Sequence, residues 1–227
     1  WGYEAIGRFD SWEQIANYPV DNDRKGNRTV VPGDIMYKDQ NNDGVINYLD
    51  ERPIGYRVDS TPTLNFGINL SASWKGFDLA MDWTGSGMTS WNQCYETARP
   101  FQNDGNSPDE VLKDAWHLSD IWDANSPLIP GKYPMVRLNT DETSAYDKSS
   151  YWLHNVTYLK LRNLEVGYTF PKTWLNRTGI SNLRLFVSGT NLLTLSNLSV
   201  MDPECASDNG LDYPPMRVIN IGVNLKF

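Results

Sequence analysis

Residues 39–50 read Asp39-Gln-Asn41-Asn-Asp43-Gly44-Val45-Ile46-Asn47-Tyr-Leu-Asp50. Oxygen-bearing side chains fall at loop positions 1, 3, 5, 9 and 12, and Gly44 sits at position 6, where a sharp turn is needed. That spacing suits a hard cation, and structural Ca2+ is the expected ion. Asp39, Asn41, Asp43 and Asp50 are its expected side-chain ligands. Val45 would offer its carbonyl, and Asn47 would act directly or through water. Ile46, at position 8, is expected to point into neighbouring packing. Position 12 is Asp, with a shorter arm than the usual Glu. Pro53 follows closely and residues 33–37 read as extended, so no helix pair flanks the loop. A static staple is therefore expected, not a switching helix–loop–helix. The plainer alternative is an Asn-Asp-Gly turn solvated by water.

Other site chemistry is sparse. The two histidines, His117 and His154, lack metal-ligand spacing, and no nucleophile motif occurs. Asp78 and Asp82 lie two strand registers apart, which reads as polar wall lining. An enzyme is not expected. A net charge of −8 without a basic cluster argues against a nucleic-acid partner. Cys94 and Cys205 are too few for a disulfide framework; one bridge or two separate thiols both remain open. Aromatics are abundant: nine Trp, twelve Tyr and seven Phe. Trp91, Tyr95, Trp116 and Trp122 fall in one long connection and are candidate substrate contacts, since flat faces suit sugar rings and peptide side chains. Packing of the loop is the alternative for each.

The elements that must position these residues alternate with period two. Leu64, Phe66, Ile68, Leu70, Ala72 and Trp74 share one face; Asn65, Gly67, Asn69, Ser71, Ser73 and Lys75 share the other. Lys75-Gly76 is a turn signal, and Phe77, Leu79, Met81 and Trp83 continue the apolar face of a hairpin partner. Residues 217–227 repeat the pattern, with Ile219, Ile221, Val223, Leu225 and Phe227 apolar. Along 155–170 the phase slips between Leu161 and Leu164, which predicts a bulge near Arg162-Asn163. Expected strands are about 64–75, 77–85, 155–170, 183–193 and 216–227. Short links alternate with the long connections 86–154 and 195–215, as in outer-membrane barrels. The polar faces carry mostly Asn, Ser, Gly and Thr, whereas a soluble sandwich tends to show charge to solvent. Ser107-Pro108-Asp109-Glu110 signals a helix start, and the spacing predicts a helix over 108–118 with Val111, Leu112, Ala115 and Trp116 on its apolar face. Mean hydropathy is −0.52, and no apolar run approaches the ~20 residues of a transmembrane helix.

Several blocks resemble SusC/RagA-type TonB-linked outer-membrane transporters. Residues 158–171, Tyr-Leu-Lys-Leu-Arg-Asn-Leu-Glu-Val-Gly-Tyr-Thr-Phe-Pro, are similar to a block of that family. So are residues 179–194 and the closing 213–227. Upstream, 32–39, 41–46, 53–55 and 74–77 follow in the family's order. The resemblance spans nearly the whole chain. It implies an all-β fold: the C-terminal strands of a large transmembrane antiparallel barrel of roughly 22 strands, closed by an N-terminal plug. Residues 1–63 would be an extracellular loop region and 64–227 the last barrel strands with their loops. The resemblance further implies an outer-membrane location in a Bacteroidetes-type Gram-negative cell, with the loops extracellular. It implies import of oligosaccharides or oligopeptides with a SusD-like surface lipoprotein, outer-membrane lipid around the wall, and TonB acting through the N-terminal part absent from this sequence. The chain begins at Trp1 without Met or signal peptide, so a processed piece of a longer protein is expected. The alternative is a soluble calcium-stabilised β-domain that binds carbohydrate, which detergent-free extraction would distinguish.

Overall fold

The computed structural model describes residues 1–58, 61–138, 142–176, 179–204, 209–210 and 212–227. In chain order the main elements are β1 (Ala5–Arg8), α1 (Trp12–Ala16), β2 (Ile35–Tyr37), β3 (Leu64–Trp74) and β4 (Phe77–Asn92). Then come α2 (Asp109–Lys113), β5 (His117–Leu118), β6 (Leu128–Ile129), β7 (Leu153–Thr169), α3 (Lys172–Leu175), β8 (Asn182–Ser196) and β9 (Val218–Lys226). The fold is all-β with a few single-turn helices, and no described helix is long and apolar enough to cross a membrane.

The chain divides into two compact units. One comprises Trp1–Val58, Ser90–His154 and Ser207–Leu211. Its two small sheets, β1–β2 and β5–β6, are embedded in irregular chain. Tyr3, Ile35, Tyr37 and Ile46 form a single buried cluster with Val111, Ala115, Tyr133, Tyr146 and Trp152. The stretches expected as separate loop regions, 1–63 and 86–154, thus share a core.

The other unit is an antiparallel meander, β3-β4-β7-β8-β9. β3 and β4 pair without interruption from Leu64↔Gly87 to Trp74↔Phe77. Lys75 and Gly76 close the hairpin with φ of +50° and +92°. A two-residue turn with both φ positive matches the twist of the flanking strands. A Cβ on Gly76 would come within 2.7 Å of the Thr169 carbonyl oxygen, so this position needs glycine twice over.

The predicted bulge is present. Leu161 pairs with Leu193 but Asn163 pairs with Thr190, so β8 carries the extra residue, and Asn191 there takes φ +53°. Arg162 and Asn163, adjacent in sequence, both reach the polar face of β4. Arg162 Nε donates to Thr84 Oγ1 at 3.1 Å and Asn163 Nδ2 to Asp82 Oδ2 at 3.2 Å. The parity change read in the sequence is the trace of this step.

The predicted helix over 108–118 is corrected to the five residues Asp109–Lys113. Pro108 occupies the cap position and Ser107 makes no capping bond; its buried hydroxyl has no partner. The helix stops because the next residues are claimed by strand pairing: Ala115 bridges Tyr133, and β5 pairs with β6. Val111, Ala115 and Trp116 are buried as expected, but Leu112 is 53% exposed.

Candidate functional site

The 39–50 loop is closed by its own side chains. Asp39 Oδ1 accepts the Asn42 N–H at 2.7 Å and Oδ2 the Gly44 N–H at 2.8 Å. Gly44 has φ +84°, which permits that approach. Asn41 Oδ1 accepts from the Asp43 N–H at 3.0 Å, and Asp43 Oδ1 from the Val45 N–H at 2.9 Å. Asn41 and Asn47 both donate their side-chain amides to Asp43 Oδ2, at 2.8 and 3.3 Å. Asn47 also donates to the Val45 carbonyl at 3.2 Å. The Asn41 amide, and then the Val45 N–H, hold the Asp43 carboxyl below its usual range.

Asp50 has a different role from the outer acids. It is fully buried, and its oxygens accept the N–H groups of Gln40 and Asn47 at 2.8 and 2.9 Å. Its pairing with Asn47 is a capping box on the short turn Tyr48–Asp50. Position 12 is therefore spent on closing the loop. Among the described residues, no three His, Cys, Asp or Glu side chains gather to hold a metal by themselves. Every candidate group is an oxygen donor, as a hard cation needs, but the side-chain N–H groups of Asn41 and Asn47 are aimed at Asp43 Oδ2, so both amides would have to turn their oxygens inward to admit one. Ile46 is fully buried in the core cluster, as position 8 requires.

A second turn, which the sequence reading passed over, holds the loop from behind. Asp21 and Val45 form a parallel bridge. The next residue, Asn22, is buried and bonds the backbone of β2 twice: it accepts the Tyr37 N–H and donates to the Ile35 carbonyl, each at 3.0 Å. Burial raises the Asp23 carboxyl, but the Thr29 N–H and hydroxyl and the Lys25 and Asn27 N–H groups outweigh it and bring it down to about 2. The Asn-Asp pair followed by Gly26-Asn27 was the available signal.

The four candidate aromatics separate by burial. Trp91 is buried and stacks on His154 with centroids 5.7 Å apart. Trp116 is buried against Gly33, where an added Cβ would lie 2.5 Å from the indole. These two pack the unit. Tyr95 and Trp122 are 52% and 90% exposed. Cys94 lies at the cap of the turn Tyr95–Thr97, whereas Cys205 lies outside the described residues.

In the sheet unit the two faces differ sharply. Phe66, Ile68, Leu70, Phe77, Leu185, Val187, Ile219, Ile221, Val223 and Leu225 are all exposed on one face. The opposite face is bonded laterally. Ser86 donates to Asn65, and Arg184 bridges Asp78 and Glu165. At the end bearing the Lys75-Gly76 turn, aromatic rings form a chain: Phe77–Tyr168 at 4.6 Å, Tyr168–Phe170 at 5.0 Å and Phe170–Trp174 at 6.0 Å. Strands β3 and β9 are the ends of the sheet order, leaving open edges.

No family model matches the chain. The TonB-dependent receptor P3 of Formosa agariphila is 30% identical over 242 residues, covering 99% of this chain and 22% of that protein. The TonB-dependent receptor P26 of the same organism is 27% identical, covering 100% of this chain and 22% of that protein. The TonB-dependent receptor SusC of Bacteroides thetaiotaomicron is 31% identical over 84 residues, which is 35% of this chain. The chain thus spans 22% of the length of the first relatives it matches. Among solved structures, the RagAB peptide transporter superposes over the whole chain with a TM-score of 0.62 at 22% identity, covering 22% of that chain; the likeness is one of fold. With the two-faced meander and the matched blocks on the page, the chain belongs to the SusC/RagA family of TonB-dependent receptors, outer-membrane β-barrel proteins.

Proposed function

We propose that this chain forms C-terminal barrel wall and outer loops of an outer-membrane active importer of large nutrients, oligosaccharides or oligopeptides. The observation that carries the reading is the exposed apolar face of the β3-β4-β7-β8-β9 sheet, ending in an aromatic belt. Such a face is stable against lipid, with aromatics at the interface, and is a liability in water. The open edges would pair with the remainder of the same barrel, and the polar face would meet its lumen or plug. TonB would act through the absent N-terminal part. A SusD-like surface lipoprotein would cap the loops, and outer-membrane lipid would surround the wall. The work is binding and passage, with no bond chemistry.

Within this reading, Ca2+ held by Asp39, Asn41, Asp43, Val45 and Asn47, with Asp50 closing the loop, would stiffen an extracellular loop. Tyr95 and Trp122 are the aromatics with faces free for a ligand, and Trp91 and Trp116 support the unit from within. Deleting the parent gene and growing the strain on single defined oligosaccharides or peptides tests the proposal. Loss of uptake of one class, restored by the full-length gene, is expected. Unchanged uptake of every large nutrient, or recovery of the parent protein in detergent-free buffer, would overturn it.

A further inference from the structure

The connection between β8 and β9 starts back across the polar face of the sheet. Lys160, in the middle of β7, is only 1% exposed. Its Nζ lies 2.8 Å from Glu204 Oε2 and 3.0 Å from Asp202 Oδ2. The other Glu204 oxygen accepts from the Arg162 guanidinium and, at 3.1 Å, from the Tyr158 hydroxyl. Three successive positions on one face of β7, Tyr158, Lys160 and Arg162, therefore converge on one loop carboxylate. Asp202 Oδ1 accepts the Glu204 N–H at 3.0 Å, which presents both acids together.

The root of this segment is fixed separately. Asn197 Oδ1 accepts the Thr157 N–H at 2.9 Å, its amide donates to the Asn155 carbonyl at 2.6 Å, and Leu198 is buried. By contrast, among the described residues no backbone–backbone hydrogen bond ties 202–204 to the sheet. Residues 202–204 are held by side chains, the ion pairs of Lys160 and Arg162 and the Tyr158 hydroxyl, and can lift without breaking a strand ladder. Once lifted, the segment takes both carboxylate partners from the Lys160 ammonium, which favours re-seating.

We propose that residues 198–204 form a strap hinged at Asn197 and latched over the inner wall by Lys160 and Arg162, and that the latch sets the width of the opening through which solute passes. The second half rests on the importer reading. The first half does not, because it concerns only this sheet and its loop.

The experiment uses the full-length parent protein. Glu204→Gln changes only the loop side, and Lys160→Met keeps the length of the buried side chain without its charge. Heat-modifiable gel migration confirms a folded barrel for each. Hydrogen exchange of 198–204 is expected to rise by roughly tenfold in both variants, with the β7 and β8 peptides unchanged. Cells carrying either variant should admit a bulky hydrophilic antibiotic faster than wild type. Unchanged exchange in Glu204→Gln overturns the latch. Raised exchange with unchanged antibiotic entry overturns its control of the opening. The exchange result is read without any nutrient, so it stands apart from failure of the importer reading.

Discussion

Asp23 Oδ2 accepts both the backbone N–H and the hydroxyl of Thr29, each at 2.7 Å, while Oδ1 accepts the Lys25 and Asn27 N–H groups at 2.8 Å. One buried carboxylate thus organises the turn that backs the 39–50 loop. Its folded pKa, about 2, lies below the unfolded value of about 3.9. The stability it supplies is present above pH ~4 and is lost as pH falls toward ~2. Asp23→Asn should remove about 1–3 kcal/mol at neutral pH and flatten this acid limb. Urea unfolding from pH 7 to pH 2, followed by the tryptophan signal, checks it; an unaltered acid limb would count against the assignment.

Calcium should stabilise the unit containing the 39–50 loop. Extracellular sites bind at roughly 10⁻⁴–10⁻³ M, so ~10 mM Ca2+ should add about 1.4–2.7 kcal/mol. Asp43→Ala should abolish the increment. Differential scanning calorimetry with Ca2+ and with a chelator reads this directly. An identical melting temperature in both would remove the ion from the account.

The two faces of β9 should respond unequally to charge. Ile221 is 83% exposed on the apolar face, and Ile221→Lys should cost ~2–4 kcal/mol of barrel stability. Asn220→Lys, one residue away on the polar face, should cost far less. Folding titrations in lipid vesicles compare the two, and equal costs would show that the apolar face does not meet lipid.

Phe186 lies across Gly222, its cross-strand partner in β9. A Cβ on Gly222 would come within 2.2 Å of the ring. Gly222→Ala should therefore cost about 1–3 kcal/mol through displacement of the ring. In a Phe186→Ala background most of that cost should vanish, giving a coupling of roughly 0.5–3 kcal/mol. Additive effects in the double-mutant cycle would contradict the contact.

The loop aromatics should divide by assay. Trp91→Ala and Trp116→Ala remove buried indoles and should destabilise by about 3–5 kcal/mol. Trp122→Ala and Tyr95→Ala should leave the melting temperature within a degree or so, because surface changes cost within about 0.5 kcal/mol. They should weaken nutrient binding measured by calorimetry on the full-length receptor. Full affinity in the Trp122→Ala, Tyr95→Ala double variant would remove both from the ligand path.

What the sequence by itself determined is what local periodicity encodes. Alternation assigned the apolar faces of β3, β4 and β9. The parity change at Arg162-Asn163 located the bulge, and Lys75-Gly76 located the hairpin turn. Each depends on neighbours within a few residues, so composition and spacing suffice. The loop at 39–50 was legible for the same reason: its Asx turns bond residues two to five positions apart. The tertiary structure decided the rest. Helix α2 was cut short because Ala115 was drawn to Tyr133. Trp91 and Trp116 were buried by His154 and Gly33, residues far off in the chain. Asp50 was turned from outward ligand to inward closure by the N–H groups of Gln40 and Asn47. Lys160 reads in sequence as one more polar strand residue; only the return of the loop bearing Glu204 makes it a buried ion-pair centre. Pairings of this kind depend on which distant segments the compact chain brings together, and no local period records that choice.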